Sequence, residues 1–133
     1  MASFESANLD HEMKGKFVHF KLDTKLRFGP EEVGNKWLVQ VEFWEKDPMK
    51  DDQIFLTPES VRVGELHAGQ IRYYIEPSNQ EVEWLYDIEI PAHLVDTEPG
   101  KEEVYSKLKL RPVGEGSTFR PADIITNITH VDV

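Results

Sequence analysis

This sequence predicts an all-β fold, an antiparallel sandwich of Greek-key or jelly-roll type with about seven to nine strands and at most one short helical turn. Three observations carry that reading. Apolar residues recur at every second position in several runs, and no run sustains a 3.6-residue period. Turn-forming clusters punctuate the chain every ~10–15 residues, the spacing of short strands. The connections also differ in length, as Greek-key crossovers require; a closed up-and-down barrel is the alternative.

Taken in order, residues 1–15 place Ala7, Leu9, His11 and Met13 on one parity, a loosely held N-terminal strand interrupted at Gly15. Val18, Phe20, Leu22, Leu26 and Phe28 then share a face, with His19, Lys21 and Asp23 opposite; a tight turn at Asp23-Thr24-Lys25 would split this run in two. Gly29-Pro30-Glu31-Glu32-Val33-Gly34-Asn35 is a loop by its Gly and Pro content. The cleanest strand follows. Trp37, Val39, Val41 and Phe43 form its core face, while Leu38 and Trp44 make the other face half apolar.

Asp47 to Asp52 is a loop, and Gln53–Thr57 and Val61–Gly64 read as strand pieces broken by Pro58, which lacks a ladder donor. Ile71, Tyr73 and Ile75 alternate before Pro77-Ser78-Asn79-Gln80, and Val82, Trp84, Tyr86, Ile88 and Ile90 alternate after it. That pattern predicts an antiparallel hairpin with an aromatic core face. Pro91 ends it, and Ala92 to Val95 suits a single helical turn. Thr97 to Lys101 reads as a turn, Val104 to Leu110 as a strand, and Pro112 to Asp123 as a long connection. Ile124 to Val133 is rich in β-branched residues, but both parities are apolar, so its orientation is open.

Length and charge bound the function. A chain of 133 residues is the size of one domain, 1–133, large enough to fold without staples. Zero cysteines exclude disulfides, thiolate zinc sites and a cysteine nucleophile. With 15 basic and 25 acidic residues the net charge is −10, which argues against nucleic acid and anionic membranes as partners. The N-terminus shows no basic and apolar leader pattern, and no run reaches the ~18 apolar residues of a membrane helix, so the expected setting is cytoplasmic.

Candidate sites are few. If consecutive strands alternate in direction, the 47–52 loop, the 77–80 turn and the 112–123 connection share one end of the sandwich. Asp47, Asp51, Asp52 and Asp123 would then offer oxygen ligands to Ca²⁺, although the spacing matches no EF-hand loop and acidic loops also serve solubility alone. His11, His19, His67, His93 and His130 are scattered, without a zinc-binding pair. Glu83, Asp87 and Glu89 line the wet side of a strand. No Gly-x-Ser-x-Gly elbow, Walker loop or Gly-x-Gly-x-x-Gly run is present. Asn127-Ile128-Thr129 fits a glycosylation acceptor but reads here as strand sequence.

Trp44, Tyr74 and Tyr105 fall on polar parities, where a ring stacks on a sugar or anchors a protein. The leading reading is therefore a non-enzymatic module that binds another protein through an exposed sheet face or edge. A Ca²⁺-stabilised carbohydrate-binding module using Trp44, Tyr74 or Tyr105 as its platform is the alternative. A small hydrolase or isomerase at the sandwich mouth is the third, and a homodimer covering Leu38 and Trp44 is a further reading of the apolar outer positions.

Overall fold

The structure is a computed structural model that describes residues 1–96, 100–114 and 118–132. Two antiparallel sheets pack face to face, as the alternation predicts. Sheet A has the order β1 (Ser3–Lys14), β2 (Phe17–Arg27) and β7 (Glu81–Pro91). Sheet B centres on β3 (Trp37–Glu45). On one side of β3 lies β8 (Glu102–Pro112), whose far edge pairs with β9 (Ala122–Ile125) and β10 (Thr129–Val131). On the other side lie β6 (Gln70–Ile75), β5 (Glu65–His67) and the two-residue β4 (Asp52–Gln53). Among the described residues the strands number ten rather than about seven to nine, because β4 is minimal and the last stretch divides in two. The helical turn expected after Pro91 is present as α1 (Ala92–Val95).

The core faces meet as aromatic pairs across the sheets. Phe20 of β2 touches Phe43 of β3 with centroids 5.5 Å apart, Phe28 meets Trp37 at 5.3 Å, and Tyr73 meets Trp84 at 5.7 Å. Trp37, Val39, Val41 and Phe43 are all fully buried, and Trp84, Tyr86, Ile88 and Ile90 nearly so. Burial of this extent is the main driving force for the fold, at roughly 1.5–3 kcal/mol per large apolar side chain.

Four expectations need correction. The Ile71–Ile90 run is not a hairpin, since β6 belongs to sheet B and β7 to sheet A. Its two apolar faces oppose each other across the core, which alternation alone cannot distinguish from a shared face. No turn splits β2 at Asp23-Thr24-Lys25, because Thr24 points into the core opposite Trp84 and Ala7. Around Pro58 the expected strand pieces are absent apart from Gln53, which belongs to β4. Residues 58–60 form a 3₁₀ turn, and Ile54, Leu56 and Ser60 plug the side of the sandwich. The turn expected at Thr97–Lys101 lies partly outside the described residues.

The last correction concerns the shared end. β6 and β8 both run antiparallel to β3, so residues 77–80 and 113–114 lie by Trp37, whereas the 47–52 loop follows Glu45 at the other end; the middle of the 112–123 connection lies outside the described residues. The extra reversal at β5–β6 shifts the count of alternate ends. That hairpin turns on Ala68 and Gly69, both at positive φ (50° and 79°), the geometry that lets two residues join twisted strands.

Thr24 also supplies a prediction. It is fully buried and its Oγ1 has no hydrogen-bond partner among the described residues. A buried unpaired hydroxyl costs on the order of 1 kcal/mol or more, and valine has nearly its shape without it. Thr24→Val is expected to raise stability by about 1 kcal/mol, read as a higher midpoint in urea unfolding with an unchanged m-value. A lower midpoint would refute it.

Candidate functional site

The outer face of sheet B gathers the polar-parity aromatics. Trp44 of β3 stands directly opposite Tyr105 of β8 in the register, so two of the three predicted rings are cross-strand neighbours. Tyr74 lies on the same face but opposite Leu38. Leu38 is six residues from Trp44, about 20 Å along a strand at 3.3 Å per residue. Tyr74 is 44% exposed and carries Lys36 over its ring at 4.7 Å. One face therefore presents two aromatic stations, not one platform.

Residues between them fix the Trp44 station. Gln40 Nε2 donates to Gln70 Oε1 at 2.9 Å, Gln70 Nε2 donates to Glu42 Oε2 at 3.0 Å, and Trp44 Nε1 donates to Glu42 Oε1 at 3.1 Å. This chain of amides ends on the indole and holds its ring angle, because each donor has a matched acceptor. Lys107, opposite Glu42, sets its ammonium 3.8 Å from the Trp44 ring centroid. The cation–π contact occupies one face of the indole, so on that face a sugar ring would have to displace an ammonium.

Tyr105 is mostly buried, and its hydroxyl donates to Asp51 Oδ2 at 2.5 Å. Burial, then the Asp51 hydrogen bond and charge, push the phenol up to about 12. Asp51 is held below the usual carboxylate range, first by the Tyr105 hydroxyl and then by the Asp47 N–H. Beside this pair Lys46, Ile125, Thr126 and Ile128 line an open depression of ≈ 260 Å³, and Ile125 is 61% exposed. Lys107, Ile125 and the Gln40–Gln70–Glu42 chain were not singled out from the sequence. Only their parity, shared with Trp44 and Tyr105, could have pointed to them.

The acidic candidates separate. Asp47 and Asp51 are linked within their loop, where Asp47 N–H donates to Asp51 Oδ1 at 3.1 Å and Met49 N–H to Asp47 Oδ1 at 3.0 Å. Asp52 is exposed on β4 opposite Glu45. Asp123 sits on β9 opposite Lys109 and pairs with Arg111 at 2.8 Å. Among the described residues no three His, Asp or Glu side chains group closely enough to hold a metal ion. The histidines are likewise dispersed: His11 Nδ1 lies 2.6 Å from Thr129 Oγ1, His19 is 3.8 Å from Asp87, and His130 pairs in register with Glu103.

Comparison of the chain with protein-family models, curated proteins and solved structures returns no match. No helix among the described residues is long and apolar enough to cross a membrane.

Proposed function

We propose that this β-sandwich is a non-enzymatic binding module that docks another protein on the Trp44–Tyr105 end of sheet B. The observation that carries the reading is the ordered aromatic–cation cluster of Trp44, Lys107 and Tyr105 beside exposed Ile125. Protein interfaces favour aromatic anchors held in place before binding, because little side-chain entropy is then lost on association.

The chemistry of the same cluster favours binding over catalysis. A general acid or base works best with a pKa near the working pH. Tyr105 and Asp51 are moved the other way: the phenol is a weaker acid than usual and the carboxylate a weaker base. Their hydrogen bond fixes the 47–52 loop against β8 rather than poising a proton for transfer.

The test compares capture by the wild type and by Trp44→Ala/Lys107→Glu, using tagged full chains in extract of the native host. We expect a reproducible protein band from the wild type to fall at least tenfold with the variant, whose thermal unfolding still shows one folded transition. Equal capture by both chains would sink the assignment of this face.

A further inference from the structure

Sheet A ends on β7, an 11-residue strand that among the described residues pairs with β2 alone. In an antiparallel ladder, alternate backbone N–H and C=O groups then point away from the single neighbour. Residues 54–64 fill the adjoining side of the sandwich with the buried side chains of Ile54, Leu56 and Ser60. They reach β7 through side chains: Tyr86 Oη donates to the Val63 carbonyl at 2.7 Å, and Arg62 lies 3.4 Å from Glu89. No backbone hydrogen bond joins them to β7 among the described residues. Among the described residues no main-chain partner occupies the outer edge of β7, although the 3₁₀ turn at residues 58–60 packs close to it.

The outward face of β7 reads Glu81, Glu83, Leu85, Asp87 and Glu89. Four carboxylates flank one apolar side chain, and Leu85 is 64% exposed. Arg27, His19, Lys14 and Arg62 approach three of those carboxylates at 3.4–4.0 Å, in solvent-facing pairs that leave them accessible. Next to Leu85 an open depression of ≈ 470 Å³ is lined by Asp10, Asp23 and Asp87 against the single ammonium of Lys21. A second copy paired antiparallel about Leu85 would set Glu83 against Asp87 and Glu81 against Glu89. Like charges directly opposite destabilise a strand pair, so this edge rejects itself.

We infer that β7 takes an extended, alternately basic segment of a partner protein as a fourth strand of sheet A. Main-chain bonds to that edge give the affinity, and basic side chains along the face that meets Glu83 and Asp87 give the selection. This surface is on the opposite side of the sandwich from Trp44, so its failure leaves the Trp44–Tyr105 proposal standing.

The probe is an 11-residue synthetic peptide alternating lysine with valine, titrated into the ¹⁵N-labelled full chain. Amide shifts confined to β7 and its flanks are expected, with the Glu81–Pro91 amides becoming slower to exchange. Twins carrying N-methyl groups on the lysines or on the valines keep the charge but block one main-chain edge each. At least one twin is expected to bind tenfold or more weakly, and Glu83→Lys/Asp87→Lys is expected to lose the parent peptide to the same extent while melting as a folded protein. Parent and both twins binding alike would reduce the effect to charge attraction and overturn strand addition. A glutamate–valine peptide binding as well, or no binding by the lysine peptide at millimolar concentration, would overturn the inference too.

Discussion

Glu32→Ala is expected to lower stability on the order of 3 kcal/mol, the cost of orphaning several donors that met one buried carboxylate. The side chain is 1% exposed although it belongs to a loop. Its Oε2 accepts from the Ala2 N–H at 3.0 Å, and its Oε1 accepts from the Gly29 N–H at 2.7 Å and lies 3.2 Å from the terminal ammonium. The Glu32 carbonyl accepts from Trp37 Nε1 at 3.4 Å, so the same residue ties the 29–35 loop to the largest core side chain. Removing the carboxylate leaves the Gly29 and Ala2 donors without the acceptor that met both. Chemical denaturation of Glu32→Ala against wild type measures the loss, and a change below 1 kcal/mol would show that these contacts are not cooperative.

The sign of the pH effect follows from the same contacts. Burial raises the Glu32 pKa, but the Gly29 N–H, the terminal ammonium and the Ala2 N–H together outweigh it and leave the carboxyl below its usual value. Between the lowered folded value and the unfolded one, the unfolded chain binds more protons, so stability rises with pH across that window. The contribution is complete above the ordinary glutamate range and is lost as pH falls through the folded value. Other carboxylates titrate nearby, so the readout is a difference. The gap in stability between wild type and Glu32→Gln is expected to narrow on acidification from pH 6 to pH 3, and a gap that widens would contradict the assignment.

Glu32 also marks where the sequence stops being legible. Gly29 and Pro30 identified the loop correctly, but nothing in Glu31-Glu32 says which carboxylate turns inward. The strands were readable wherever one face is dry, because a period of two leaves its trace in residue type, as at Trp37–Phe43 and Val82–Ile90. Pairing was not. β6 and β7 carry the same alternation whether they share a sheet or face each other across the core, so the predicted hairpin and the predicted loop cluster failed together. For the candidate site, parity placed Trp44, Tyr74 and Tyr105 each on the polar side of its own strand, but only the register puts them on one face, makes Trp44 and Tyr105 neighbours and brings Lys107 onto the indole.

The unreadable C-terminal stretch has a definite cause. Ile125 is paired with Lys107 and Thr129 with Val104, so three residues of the edge strand span the two residues between them on β8. One extra residue reverses the parity, which is why Ile124 turns inward in β9 while Thr129 and Val131 do so in β10. The displaced residues are put to use. Thr126 Oγ1 accepts from the buried Ser106 N–H at 2.9 Å, and Asn127 is turned toward β1 of the other sheet.

Asn127→Ala is accordingly expected to cost about 2 kcal/mol, the second largest effect predicted here, from two lost hydrogen bonds at roughly 1 kcal/mol each. Asn127 Oδ1 accepts from the Leu9 N–H at 2.8 Å and its Nδ2 donates to the Leu9 carbonyl at 3.0 Å. A single amide thus meets both backbone groups of one residue, as a neighbouring strand would, and joins the edges of sheets A and B on the side away from β7. Leu9 itself is 3% exposed, so its freed N–H and C=O have restricted access to water. Aspartate separates hydrogen bonding from shape, since its carboxylate can accept from the Leu9 N–H but would oppose the Leu9 carbonyl. Asn127→Asp is therefore expected to be no more stable than Asn127→Ala at neutral pH. The neighbouring contact of His11 Nδ1 with Thr129 Oγ1, at 2.6 Å, serves the same seam. Combining Asn127→Ala with Thr129→Val should cost less than the sum of the separate changes, because either one loosens β1 from the edge on which the other contact depends. Strict additivity in that cycle, or slow amide exchange retained at Leu9 in Asn127→Ala, would mean that core packing alone holds the two sheet edges together.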